Sequence, residues 1–178
     1  MIVTLEPWEY IHAHDIGIKR AVANWNVRDK KSYTNGNNQP EIIASPVAAI
    51  SELAVAKALN TYWGGHIWDN RDHAKYKALP DLAPNIEVRR VREKKNPVAV
   101  WKKDTGKGII VVATYPVPPE FREVEILGWV PVDIAWEKGE QRYSNDCHVF
   151  PIDRLKPIEL LMLKDLPELT KELISYGN

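Results

Sequence analysis

The residues Ile86-Glu87-Val88-Arg89-Arg90-Val91-Arg92 alternate in character along the chain. Residues two apart share a face of a strand. The segment therefore predicts a strand with Glu87, Arg89 and Val91 on one side and Val88, Arg90 and Arg92 on the other. Apolar runs over Pro97 to Lys102, Gly108 to Tyr115 and Glu125 to Val130 predict further strands. Asp104-Thr105-Gly106-Lys107 supplies a turn between the first two, and Pro116, Pro118 and Pro119 end the second.

Helical spacing brackets these strands. Ile18, Ala21, Val22 and Trp25 form one stripe, which predicts a helix from about Ile16 to Val27 capped by Asp15. Asn35-Gly36-Asn37-Asn38 reads as a loop. Ser45-Pro46 then opens an alanine-rich helix running to about Trp63 and stopped by Gly64-Gly65. Ile134 to Asp153 reads as loop-rich, and Pro157 to Lys164 and Leu166 to Tyr176 as short helices. Helices, then strands, then a helical tail predict an α/β or α+β fold.

At 178 residues the chain fits one domain with a substantial core. A single cysteine, Cys147, forbids an internal disulfide framework. The N-terminus lacks the basic start and long apolar run of a signal peptide, and no stretch approaches the roughly 20 apolar residues of a membrane span. The expectation is a cytoplasmic protein. Net charge is zero, yet Ile86 to Lys107 carries eight Lys/Arg against three Asp/Glu. That excess reads either as a solvated charged hairpin or as a basic lip for a polyanion.

Candidate chemistry gathers at the same place. Asp81 follows Pro80, and Glu87 and Arg89 share a strand face. Oxygen ligands of this kind suit a hard cation such as Mg²⁺, and a neighbouring cation can hold phosphate. Glu52 shares a helix face with Ala48, Val55 and Leu59, so it either reaches water at the stripe's edge or is paired or metal-bound. Trp63 and Trp68 flank a polar loop containing His66, His73, Tyr76 and Lys77. These residues pack structurally or touch substrate, the tryptophans by stacking on bases. His12, His14 and Asp15 lack a matching ligand set, and Cys147-His148 lacks the spacing of a cysteine hydrolase. There is no Walker loop, no G-x-G-x-x-G and no zinc spacing.

Pro80-Asp81 followed by Glu87-Val88-Arg89 resembles the PD-(D/E)XK motif of the restriction-endonuclease-like nuclease superfamily. The preceding helix with Glu52 and the later Gly128-Trp129-Val130-Pro131 and His148-Val149-Phe150-Pro151 segments extend the resemblance over roughly Ala44 to Pro157. That order is similar to small nuclease-like proteins of tailed phages. The resemblance implies a restriction-endonuclease-like core, a mixed sheet flanked by helices. It also implies a Mg²⁺-dependent nuclease acting on DNA, with Mn²⁺ as a possible substitute. Asp81, Glu87, the Val88 backbone carbonyl and Glu52 would hold the ion, with Arg89 beside the phosphate. Arg90, Arg92, Lys94, Lys95, Lys102 and Lys103 would line the nucleic acid, and a homodimer is compatible.

Arg89 departs from the family's lysine. It supplies charge and a bidentate fork but no proton acceptor near pH 7. Two alternatives therefore stand beside the nuclease. One is a non-cleaving module on the same fold that grips DNA or a protein. The other is an interaction protein whose carboxylates only pair with neighbouring arginines.

Overall fold

A computed structural model describes residues 1–24, 41–67 and 79–162. Its elements are β1 (Ile2–Thr4), α1 (Pro7–Ala23), α2 (Glu41–Ala58), β2 (Ile86–Arg90), β3 (Val98–Trp101), β4 (Ile110–Pro116), β5 (Glu123–Pro131), α3 (Val132–Lys138), β6 (Glu140–Gln141), β7 (Cys147–Phe150) and α4 (Glu159–Met162). The class is mixed α+β. Trp25, Asn35 to Asn38, Trp68, His73, Tyr76, Lys77 and the helix expected from Leu166 to Tyr176 lie outside the described residues. Among those described, no helix is long and apolar enough to cross a membrane.

Four strands pair in the order β1-β5-β4-β2, with β2 parallel to β4 and the other pairs antiparallel. The remaining three form an antiparallel sheet in the order β3-β7-β6. β4 is apolar almost throughout because both of its faces are covered. Ile110 and Val112 pack with Ile86, Val88 and Trp129 against Ala49, Ile50, Ala54 and Val55 of α2. Val111 and Ala113 point the other way, into a second core with Val98, Val100 and Phe150 of the smaller sheet and Val132 and Ala135 of α3.

Several boundaries differ from the sequence reading. Helix α1 starts nine residues earlier than Ile16, because Glu6-Pro7-Trp8-Glu9 is the operative start signal. Pro7 occupies the first helical position, and the Glu6 N–H donates to Glu9 Oε2 at 2.7 Å. Asp15 is mid-helix and pairs with Lys19 at 2.6 Å on the surface. Helix α2 already runs through Ser45, so Pro46 lies inside it and withholds an N–H from the preceding turn. It ends before Gly64-Gly65. Asn60 takes a left-handed φ of 49°, its N–H reaches the Lys57 carbonyl, and the Thr61 N–H reaches back to Ala56 at 2.9 Å. This is a Schellman closure built on asparagine.

The strands from Ile86 to Val130 form near the expected positions, but β3 and β4 do not make a hairpin. β3 crosses to the smaller sheet, and the turn after it, Lys102–Asp104, is a single 3-10 turn. The expected loop from Ile134 to Asp153 contains α3, β6 and β7 instead. Elements of seven, two and four residues are too short to print a period on the sequence.

The crossing of α1 on α2 depends on Gly17. A Cβ there would stand 2.5 Å from the Pro46 nitrogen and 2.7 Å from the Ser45 carbonyl oxygen. Both are backbone atoms, so the helices themselves must separate. Gly17→Val should lower stability by about 1–3 kcal/mol or more, as overpacking does. Thermal unfolding followed by circular dichroism should show the loss, and an unchanged midpoint would contradict this packing.

Candidate active site around Arg89

Strand β2 is the outer strand of the larger sheet, so one row of its backbone groups lacks a strand partner. The turn before it folds back tightly, with Leu82 and Ile86 exchanging both backbone hydrogen bonds at 2.9 Å. This places Asp81 against the open edge, where its Oδ2 accepts the Val88 N–H at 2.8 Å.

Glu87 and Arg89 register with Val111 and Ala113, the β4 residues of the second core, and so project between the two sheets. Arg89 Nη1 lies 2.6 Å from Glu87 Oε2, 3.4 Å from the Val88 carbonyl and 3.6 Å from Asp81 Oδ2. Its Nη2 lies 3.6 Å from Asp104 Oδ2, and Lys103 Nζ is 3.6 Å from the other Asp104 oxygen. Arg89 Nε is buried with no hydrogen-bond partner among the described residues. Asp104 is buried as well. It went unnoticed as a site residue because it read as the first residue of a turn. Its only signal was an acid set among Lys102, Lys103 and Lys107.

Three carboxylates thus share one guanidinium. Burial opposes the charge on Arg89, but Glu87, Asp81 and Asp104 together outweigh it and hold its pKa above the ordinary value. The acids are in surplus. Burial pushes Glu87 up to about 7; Arg89 opposes this, while Asp81 and Asp104 add to it.

Glu52 does not join this group. Helix α2 covers the Ile86/Val88 face of β2, whereas Glu87 projects from the opposite face. Both Glu52 oxygens are bound by Arg20 Nη1, at 2.7 and 2.9 Å, and Trp63 Nε1 donates to Oε2 at 3.0 Å. Burial raises the Glu52 pKa and Asp81 adds to that, with Arg20 and Trp63 opposing. Asp81 therefore stands at the sheet edge between two buried acid–arginine systems. It also lines a cleft of about 230 Å³ with Arg20, Tyr62 and His66. Arg20 was missed, although its place one turn after Ile16 and Gly17 on the buried side of α1 suits a cation for Glu52.

The basic residues do not form one lip. Arg90 and Arg92 line a groove of about 480 Å³ with Val47, Pro116, Pro118 and Phe121, on the α2 side. Burial and Arg92 lower the pKa of Arg90. Lys94 pairs with Glu125 and Lys95 with Glu93, and both line an open cleft of about 570 Å³ with Arg142. Lys102 and Lys103 are exposed on the 3-10 turn, beside Asp104. Elsewhere, His12 meets Trp63 edge-on, and His148 stacks on Trp136 and contacts its carbonyl at 2.7 Å. Cys147 is buried, which raises its thiol pKa.

Among the described residues no three Asp, Glu, His or Cys side chains form a metal-binding group. The oxygens that do converge are those of Asp81, Glu87 and the Val88 carbonyl, and they converge on a cationic atom, Arg89 Nη1. An all-oxygen donor set around a positive charge fits a hard divalent ion in kind. No protein-family model, no curated protein and no solved structure matches the chain.

The Glu87 pKa gives a sign for stability against pH. From about 4.5, its ordinary value, to about 7, the native chain keeps a proton that the unfolded chain has released. The unfolded state then binds fewer protons, so stability falls as pH rises through that window, by up to about 3 kcal/mol. Denaturant unfolding at pH 5 and pH 7 measures the slope, and Glu87→Gln should flatten it. The same slope in both proteins would assign it to other groups.

Proposed function

We propose that the chain is a metal-dependent nuclease that hydrolyses phosphodiester bonds of DNA on a restriction-endonuclease-like core. The observation that carries this reading is the convergence of Asp81, Glu87 and the Val88 carbonyl on one cationic point. Asp81 and Glu87 would hold the ion, with the Val88 carbonyl as a third oxygen. Glu52, bound by Arg20 and Trp63 on the other face, drops to a structural role that steadies the Asp81 side of the sheet. When bound, Mg²⁺ or Mn²⁺ supplies an acidified water and charge stabilisation on the phosphate oxygens.

The chain's own groups do the remaining work. Asp81 is oriented by the Val88 N–H, which fixes the oxygen it presents. Arg89 offers phosphate a planar fork with permanent charge. It accepts no proton near pH 7, so the attacking water would give its proton to another acceptor: solvent, an oxygen of the substrate, or a cluster carboxylate such as Asp104. Lys103, exposed beside Asp104, is placed to extend the positive field outward.

A second reading keeps the fold and the nucleic acid but not cleavage. It is favoured by one observation: the guanidinium of Arg89 stands where the ion would have to stand. In that case the acids merely hold Arg89, and the basic groups bind DNA or a partner.

Incubation of plasmid and single-stranded DNA with Mg²⁺, Mn²⁺ or a chelator separates the two. The nuclease reading expects cleavage only with metal, and a loss of about 100-fold or more in Glu87→Ala, on the scale of removing one transition-state contact. Cleavage that survives chelation, or none under any metal, would end it.

Binding can be scored independently of cleavage. DNA affinity should fall steeply between low and moderate salt, because each phosphate contact releases counterions. Filter binding at two salt concentrations measures this, and salt-independent or absent binding would leave neither DNA reading standing.

A further inference from the structure

We infer that Arg89 is the resident counter-cation of its own acidic cluster, exchanged for a divalent ion when a phosphate draws the guanidinium away. Ion and phosphate then bind with positive coupling. This rests on the metal-site reading above and adds a rule for how the site fills.

The argument begins with space. Arg89 Nη1 sits 2.6 Å from Glu87 Oε2 and faces the Val88 carbonyl and Asp81 from the same point. A Mg²⁺ ion needs such oxygens at about 2.0–2.1 Å. Two cations cannot share that point, so one displaces the other. Arg89 has no neutral form near pH 7, which removes deprotonation as a way out. The guanidinium must move, and it must find another anion, because a buried charge stripped of its partner is strongly unfavourable.

The geometry makes the movement feasible. Of the three carboxylates around Arg89, only Glu87 is at hydrogen-bond distance; Asp81 and Asp104 both stand at 3.6 Å. Nε is a buried donor with no acceptor among the described residues. Nε and Nη2 form one edge of the planar fork, and a phosphate presents two oxygens at matching spacing. About a quarter of the side chain is exposed while Nε itself is buried, so a phosphate meets that edge only as the guanidinium swings outward from the cluster. A phosphate on Arg89 would leave Asp81, Glu87 and Asp104 with too little positive charge nearby, since Lys103 is the other cation contacting the cluster among the described residues. That deficit is what a divalent ion fills. Arginine in this position thereby links loading of the site to the arrival of the substrate's own chemical group.

Mn²⁺ binding to the full chain, read by the electron spin resonance of free Mn²⁺, tests the exchange without reference to cleavage. Inorganic phosphate serves as the probe, with a protein-free titration to correct for Mn²⁺–phosphate complexes. Wild type should bind Mn²⁺ weakly alone and about 10-fold more tightly with phosphate, within the usual span of coupling free energies. Arg89→Gln should bind Mn²⁺ tightly without phosphate and gain little from it. Equal Mn²⁺ affinity of the two proteins without phosphate would overturn the exchange while leaving the metal site in place. Coupling that persists in Arg89→Gln would also overturn it, assigning the effect to direct ion–phosphate contact. Absence of Mn²⁺ binding in both proteins, with and without phosphate, would remove the metal-site reading itself. If Arg89→Gln does not fold, the Arg89 Nε–H resonance of the wild type decides. It should shift when Mg²⁺ and phosphate are added together, and a signal that stays fixed would overturn the inference.

Discussion

One guanidinium held among three carboxylates, in the seam between two sheets, is the constraint around which this molecule is arranged. Arg89 reaches it from the outer strand of the larger sheet, and Asp104 from the turn leaving the smaller one. Asp81 comes from the loop folded onto the strand edge. Without the arginine, three acids would crowd a poorly solvated space. Without the acids, a buried cation would stand alone. Each cost is large, and their mutual cancellation is what allows polar groups into an otherwise apolar seam.

The molecule contains a second buried arginine–carboxylate pair, and the contrast is informative. Arg20 and Glu52 are matched one to one, with Trp63 supplying a further hydrogen bond. That pair ties α1, α2 and the segment after α2 together, and burial and the nearby Asp81 raise the Glu52 pKa against Arg20 and Trp63. Around Arg89 three carboxylates face one guanidinium, and burial first, then Asp81 and Asp104, raise the pKa of Glu87 against the pull of Arg89.

The sequence disclosed what depends on neighbours along the chain. The alternation from Ile86 to Arg92 correctly assigns Glu87 and Arg89 to one face and Val88 and Arg90 to the other, because parity is a property of a single strand. It could not disclose which face α2 would cover, so Glu52 was grouped with Glu87, which projects from the opposite face of β2, although Asp81 at the strand edge lies near enough to raise the Glu52 pKa. Asp104 was invisible for a similar reason: its meeting with Arg89 depends on β3 leaving for the smaller sheet, a long-range event with no local signature. The start of α1 was placed at Asp15, nine residues late, because the local signal at Glu6-Pro7-Trp8-Glu9, a capping box with Pro7 at the first helical position, went unread. The basic run was visible as composition. Its division among Arg89, the Arg90–Arg92 groove and the Lys94–Lys95 cleft was not.

Asp81 joins two duties that are usually kept apart. The same Oδ2 that faces Arg89 also covers the outward N–H of Val88 on an exposed sheet edge. Uncovered edges invite other strands to add to them. A chain altered at Asp81 would leave the outward Val88 N–H of this edge strand without that acceptor. One carboxylate oxygen thus serves both the strand edge and the guanidinium, which narrows the replacements this position tolerates to groups that still accept a hydrogen bond there.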